Sequence, residues 1–192
     1  MKPNVYFSVR FDPRGPDGRS RNARMGAFWR VLHALCANRG VPFVMGFPEY
    51  QLFDATVGRT LRVYFESRAQ AEEIAQALCD DGKFPDASIQ LIRDISDAER
   101  SGTQAVYMMR RMPGKSSTKP GQDGYEEALA RQEQLRSKAR TLQAGLPYLP
   151  MHSSQGHAFR LVLERVDRED PVEGMPNGYG LSRRNAMVSV PI

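Results

Sequence analysis

Leu61-Arg62-Val63-Tyr64-Phe65-Glu66-Ser67-Arg68-Ala69-Gln70 runs from a strand straight into a helix start. Leu61–Phe65 is rich in the aromatic and branched residues that fit a pleated sheet, and it reads as a strand. Ser67 and Gln70 stand three apart in the capping-box pattern, where each satisfies the other's end of a helix start. A helix is therefore expected over Ser67–Leu78. Working upstream, Val41–Pro48 is a short strand or extended segment, with a loop or turn at Asp54–Gly58. Met25–Asn38 has apolar residues at Phe28, Val31, Leu32, Leu35 and Cys36, which is helical spacing, and Gly40 follows as a stop. Val5–Phe11 alternates and reads as a further strand. Downstream, Ile89–Ile92 is a strand and Ala105–Met109 another, ending in Arg110-Arg111. Through Ile92 the order is strand, helix, strand, strand, helix, strand, that of the ferredoxin-like unit. Many RNA-binding domains share this topology, although fold alone does not fix function. The expected fold class is α+β. A ferredoxin-like (RRM-like) domain would occupy 1–111, and an appended C-terminal region carrying a basic helix would occupy 112–192.

In that second region, Met112–Gly124 is rich in Pro, Gly, Ser and Lys and reads as a mobile basic linker. Tyr125–Ala144 is expected to be helical, with Arg131, Arg136, Lys138 and Arg140 along it and Gly145 and Pro147 ending it. Met151-His152-Ser153-Ser154-Gln155-Gly156-His157-Ala158-Phe159-Arg160 opens small and polar. It passes into Leu161-Val162-Leu163-Glu164, an alternation expected of a half-buried strand. A loop of hydroxyls and imidazoles on the end of a strand suits a phosphodiester held against a rigid sheet. Gly178-Tyr179-Gly180-Leu181-Ser182-Arg183-Arg184 follows near the C-terminus.

The chain has 192 residues and a formal net charge of +5, and the distribution of that charge is informative. Residues 1–40 carry eight Lys/Arg against two Asp/Glu. Residues 41–100 carry six against eleven, and residues 101–150 eight against four. Two basic blocks around an acidic middle suggest a defined nucleic-acid face rather than a general affinity for polyanions. Asp12–Asn22, a loop with arginines in and around it, belongs to the first block. No stretch is long and apolar enough to span a bilayer, and the N-terminus lacks the apolar run of a signal peptide. Cys36 and Cys79 show no metal-ligand spacing and are expected to be two buried, reduced thiols in a cytoplasmic protein.

Three histidines are present: His33, His152 and His157. His33 lies beside the apolar stripe of the first helix, where a lone histidine serves either structure or chemistry. The sequence clusters too few Cys, His, Asp and Glu to suggest a catalytic metal site. An RNA cleaver without metal uses the RNA's own 2′-hydroxyl as nucleophile. It needs a base to take that proton, for which imidazole is suited, and a hydroxyl or cation to orient attack and stabilise charge on phosphate. His33, the Ser153/Ser154 loop and nearby arginines could supply these parts.

Several pieces together resemble the CRISPR repeat-processing endoribonucleases of subtype I-F. Leu32-His33 matches that family's first helix and catalytic histidine. Gly46-Phe47-Pro48 matches a Ser-Phe-Pro element, and Arg111 through Lys115-Ser116 a basic segment that reads the base of an RNA hairpin. Ser154, Gly156, Phe159 and Arg160 match the catalytic loop, and Tyr179-Gly180-Leu181-Ser182 the terminal signature. The resemblance implies His33 as general base, Ser154 as constraint on the nucleotide, Phe159 stacked on the terminal base pair of the stem, and Tyr179 helping to position the site. It further implies RNA contacts from Arg110, Arg111, Lys115, Arg131, Arg136, Lys138, Arg140 and Arg160. Neither cofactor nor metal is expected. The run Phe47–Gly58 resembles the transposon-associated branch of the subtype.

The chain departs from the pattern in places. His152 stands where a serine is expected two residues before Ser154, unless a gap makes Ser153 its equivalent. Pro113 replaces a glutamine, and Glu126, Glu127 and Glu133 thin the basic helix. The implied function is metal-independent cleavage of CRISPR repeat RNA at the 3′ base of its hairpin, leaving a 2′,3′-cyclic phosphate. The protein would stay on the guide RNA 3′ hairpin beside the backbone and large subunits of the type I-F effector complex. The alternative is a non-catalytic RNA-hairpin-binding subunit on the same fold.

Overall fold

Both faces of the strand that includes Leu61–Phe65 are largely buried, and this determines how the chain packs. Leu61, Val63 and Phe65 are wholly buried on one face, and Tyr64 on the other is 1% exposed. Tyr64 is covered because the protein has two sheets, not one. The computed structural model describes residues 1–15, 18–84, 87–114, 118–153 and 155–192. It is a mixed α/β structure whose sheets are antiparallel.

The first sheet contains β1 (Val5–Phe11), β2 (Val44–Gly46), β3 (Thr60–Phe65) and β4 (Ala87–Ile89), in the spatial order β2-β3-β1-β4. A two-residue strand, β5 (Arg93–Asp94), also pairs with β1. The edge expected as continuous over Ile89–Ile92 is thus broken. Gln90 N still donates to Ser8 O (2.8 Å), while Leu91 turns out to solvent. Helix α1 (Arg21–Arg39) joins β1 to β2, and α2 (Arg68–Asp81) joins β3 to β4. Ser20 caps α1, Gly40 closes it at φ 64°, and Ser67 with Gln70 forms the full capping box on α2. A short helix, α3 (Asp97–Ser101), leads into the second sheet; it is absent from the expected elements, although Ser96 and Glu99 form a capping box at its start.

The second sheet has β6 (Gln104–Met109), β7 (Tyr148–His152), β8 (Ala158–Arg168) and β9 (Val190–Pro191), in the order β7-β8-β6-β9. Strand β6 ends just before residue 111, and both its partners come later in the chain. One apolar cluster draws on both sheets and on helices α1 and α2. Buried tyrosine hydroxyls stitch the layers. Tyr64 donates to Pro191 O (2.9 Å), Tyr107 to Phe47 O (2.8 Å) and Tyr50 to Leu163 O (3.1 Å). The backbone at 180–182 forms a second seam. Met45 N of β2 donates to Gly180 O (2.8 Å), and Ser182 N donates to Tyr107 O of β6 (2.9 Å). Gly180 is needed there, since its φ is 72° and a Cβ would stand 2.5 Å from the Phe43 ring.

Helix α4 (Tyr125–Gln143) differs from the other long helices in having no buried residue. Two side chains tie it down: Gln143 Nε2 donates to Arg110 O (2.9 Å), and Gln132 Nε2 donates to Gly114 O. The cysteine expectation needs correction in one half. Cys36 is buried, and burial pushes its thiol up to about 12. Cys79 lies on the outer face of α2 and is exposed. Among the described residues no helix is long and apolar enough to cross a membrane.

Helix α1 approaches β7 closely at Gly26, where a Cβ would stand 2.1 Å from Pro150 O and 3.2 Å from Met151 Sδ. In an unpacked helix Gly→Ala gains about 1 kcal/mol. Here the obstacle is backbone in a paired strand, so the sign should reverse. Gly26→Ala is expected to destabilise by about 1–3 kcal/mol, as overpacking does. The midpoint of thermal unfolding should fall by about 2–4 °C for each kcal/mol in a chain of this size. A raised midpoint would show that the helix and strand are not in contact at Gly26.

Candidate functional site

Leu32 of α1 is wholly buried, and the next residue, His33, emerges partly exposed at the rim. Its position is set by the loop at 177–182. Asn177 Oδ1 accepts from Tyr179 N (2.9 Å) and Leu181 N (3.2 Å), which curls the loop on itself. Trp29, one turn before His33 on α1, donates from Nε1 to Tyr179 O (2.9 Å). Thus the loop is fastened to α1, β2 and β6. On its outer side His33 Nδ1 meets Gly178 O at 2.5 Å, and the imidazole stacks on the Tyr179 ring, with centroids 4.5 Å apart and planes 20° apart. A carbonyl oxygen only accepts, so Nδ1 carries the proton of the neutral ring and Nε2 keeps the lone pair. A Cβ on Gly178 would stand 3.1 Å from His33 Cε1, so a side chain there would crowd the imidazole.

The second contribution is the β7–β8 hairpin, paired out to His152↔Ala158. The sequence marked 151–160 as a loop opening into one strand. Tyr148–His152 is in fact a strand as well, hidden in the sequence by Pro147 and Pro150. The hairpin tip closes through Ser153 N to His157 O (2.9 Å), Gly156 N to Ser153 O (3.0 Å) and His157 N to Ser153 Oγ (3.1 Å). The Ser153 hydroxyl accepts in that bond and keeps its own hydrogen to donate. Ser154 and Lys115 lie outside the described residues.

Helix α1, the hairpin and the loop at 177–182 meet around a cavity of about 400 Å³, whose wall includes Arg30, His33, His152, Ser153 and Tyr179. No carboxylate is among its described lining residues. A larger concavity of about 710 Å³ lies on the other side of His152, with Arg21, Tyr148, Phe159 and Arg160 in its wall. The Arg160 guanidinium sits 4.7 Å over the Tyr148 ring. Two imidazoles, a hydroxyl, a phenol and a guanidinium around a hollow with no carboxylate among its described lining residues favour an anion and can exchange protons with it. Among the described residues no group of three or more His, Cys, Asp or Glu is placed to hold a metal ion.

The expected RNA contacts are distributed unevenly. Arg131, Lys138 and Arg140 are exposed on α4, with Arg140 paired to Glu133 at 3.3 Å. Arg136 lies on the half-buried side of the helix with Gln132 and Gln143. Arg110 is ion-paired with Glu164 and partly buried, whereas Arg111 is exposed. Sequence reasoning passed over Arg30, Trp29, Tyr148 and Arg21. Arg30 was findable, since residues three apart on a helix share a face and it precedes His33 by three. The others depend on how distant segments cross.

The terminal signature divides by role. Gly180, Leu181 and Ser182 serve the seam: Leu181 is wholly buried, and Ser182 Oγ donates to Val188 O and accepts from Val188 N, both at 2.9 Å. The Tyr179 side chain alone of the four lines the cavity. A comparison with protein-family models finds no family that matches this chain, and a comparison with curated proteins finds no match either.

Proposed function

We propose that the protein is a metal-independent endoribonuclease that cleaves CRISPR repeat RNA at the 3′ base of its hairpin and stays bound to the guide RNA 3′ hairpin. The observation that carries this reading is the convergence of His33, Tyr179, His152 and Ser153, from three separate parts of the chain, on one cavity with no carboxylate among its described lining residues. Of these, His33 and Tyr179 stand where the sequence resembles the subtype I-F enzymes, Ser153 adjoins the matched loop, and His152 is a departure from the pattern. The strand order β2-β3-β1-β4, with a helix between β1 and β2 and another between β3 and β4, supports a ferredoxin-like unit in the first part of the chain. An appended region carrying α4 would then hold the stem.

In this mechanism His33 Nε2 takes the proton of the 2′-hydroxyl. The 2′-oxygen bonds to phosphorus while the bond to the 5′-oxygen breaks, leaving a 2′,3′-cyclic phosphate. The departing 5′-oxygen takes a proton from solvent and becomes a hydroxyl. Arg30 meets the charge that grows on the non-bridging oxygens. Tyr179 holds the imidazole plane, and Ser153 or Ser154 restrains the ribose. Phe159 stacks on the last base pair of the stem. Arg131, Lys138 and Arg140 contact phosphates along the stem, since an A-form major groove is too deep and narrow for most side-chain readout. Retention on the product places the protein beside the backbone and large subunits of a type I-F effector complex, in the cytoplasm.

The test is incubation of repeat hairpin RNA with the protein in excess chelator. The expected result is a single cut at the 3′ base of the stem, with a cyclic phosphate on the upstream fragment. A second reading is favoured by the engagement of His33 with Gly178 O and the Tyr179 ring, which is also how a structural histidine is held. A non-catalytic hairpin-binding subunit would bind the same RNA tightly and leave it whole.

A further inference from the structure

A third hollow, of about 470 Å³, is lined by Arg110, Arg111, Arg183 and Arg184 together with Glu164 and Asn177. The one carboxylate among its described lining residues, Glu164, is neutralised by Arg110. That leaves Arg111, Arg183 and Arg184 as uncompensated guanidiniums. All three are exposed, and no carboxylate among the described residues pairs with them. Arg183 and Arg184 are not loose ends of the chain. Arg183 N donates to Ala186 O (3.3 Å) and Ala186 N to Arg183 O (3.1 Å), which closes a turn. The turn follows directly on Ser182, whose hydroxyl and backbone nitrogen are both committed to the core. Three cations lining one hollow repel one another, and such an arrangement is stabilised by an anion with several acceptor oxygens. Arginine's planar fork suits phosphate in particular.

The hollow is also joined to the His33 cavity by covalent structure. Asn177 and Ser182 line the arginine hollow, while Gly178 and Tyr179 between them hold His33. The same loop, 177–182, therefore borders both the arginine hollow and the imidazole.

We propose that Arg183 and Arg184, with Arg111, form a phosphodiester-binding site that grips the RNA strand running into the His33 cavity. The proposal rests on the functional reading above for the identity of the strand, and on the hollow itself for the ligand chemistry. The arginines neutralise and hold phosphates but take no part in proton transfer. They therefore set the affinity for RNA.

Two probes separate the two claims. The first is a single-stranded oligouridylate, whose binding is measured against salt concentration for the native chain, Arg183→Gln/Arg184→Gln and Arg183→Lys/Arg184→Lys. The second is repeat hairpin RNA, whose cleavage is followed at saturating protein. With oligouridylate, the glutamine variant should bind more weakly, and its log–log salt slope should fall by about 1.4 units. That is about 0.7 for each single-strand phosphate no longer neutralised. The lysine variant should keep most of the slope. On the hairpin, the glutamine variant should need more protein than native to reach half of its own maximal cleavage rate. Equal oligouridylate affinity and slope in native and glutamine proteins would overturn the proposal, whatever the hairpin shows. A slope that drops as expected while native protein leaves the hairpin uncut would uphold the phosphodiester site and overturn the nuclease.

Discussion

His33→Ala is expected to abolish cleavage of repeat RNA while hairpin binding stays within a few-fold of native. A positioned general base contributes roughly 10²–10⁴ in rate and little to ground-state affinity, so the loss corresponds to about 3–5 kcal/mol of activation free energy. The substitution also deletes the bond to Gly178 O and the stack on Tyr179. The loop should survive that, because Trp29 and Met45 hold it independently through Tyr179 O and Gly180 O. His33→Gln sharpens the test. Its amide can still donate toward Gly178 O but cannot accept a proton as a base, so it should be as slow as alanine with a smaller loss of stability. Cleavage by either variant at close to the native rate would remove His33 from the chemistry. A slow alanine variant beside a fast glutamine variant would reduce His33 to a loop anchor.

Secondary structure was legible in the sequence where local chemistry decides it. Ser67 with Gln70 set the start of α2, Gly40 set the end of α1, and the alternation over Val5–Phe11 marked β1. What the sequence hid is set by contacts between distant segments. Tyr64 looks like the solvent side of an alternating strand, yet it is buried because β9 passes over it and its hydroxyl finds Pro191 O. Tyr148–His152 contains a proline and sits directly after another, both marks against a strand. It forms one because it pairs along one side with β8 and lies under α1 at Gly26. Cys79 has helical context but no signal for which side of α2 faces out.

The candidate site shows the same division. His33, the hairpin tip and Tyr179 were singled out by residue type and resemblance, without any spacing that brings positions 33, 152 and 179 together. The seam does that: Gly180 and Ser182 pair with β2 and β6, and Tyr179 is thereby carried to the rim of α1. Arg183 and Arg184 follow the seam by one and two residues, so they inherit its rigidity. Along α4 the sequence showed only how many cations there are. Which of them face outward, Arg131, Lys138 and Arg140 rather than Arg136, depends on which side rests on the body of the protein.

Trp29→Ala should produce the largest loss of stability among single substitutions near the site. Trp29 is wholly buried, its ring lies 5.6 Å from that of Phe47, and its Nε1 is the α1 anchor of Tyr179 O. Truncating a buried tryptophan costs about 3–5 kcal/mol, which lowers the unfolding midpoint by roughly 6–20 °C in a chain of this size. Loss on that scale would obscure any effect on catalysis, so Trp29→Phe carries the functional part of the prediction. Phenylalanine fills most of the volume but has no N–H, and Tyr179 O loses its partner at a cost of about 1–3 kcal/mol. Gly178 and Tyr179 then lose their fixed distance from α1, and with it the orientation of the His33 ring. The rate of the bound complex should fall more than the affinity for the hairpin, because positioning matters most where the reacting atoms must align. Measuring both on Trp29→Phe at a temperature well below its own midpoint decides the matter. Equal losses in rate and affinity would mean that the loop serves RNA binding as a whole, and an unchanged rate would mean that Tyr179 is held without Trp29.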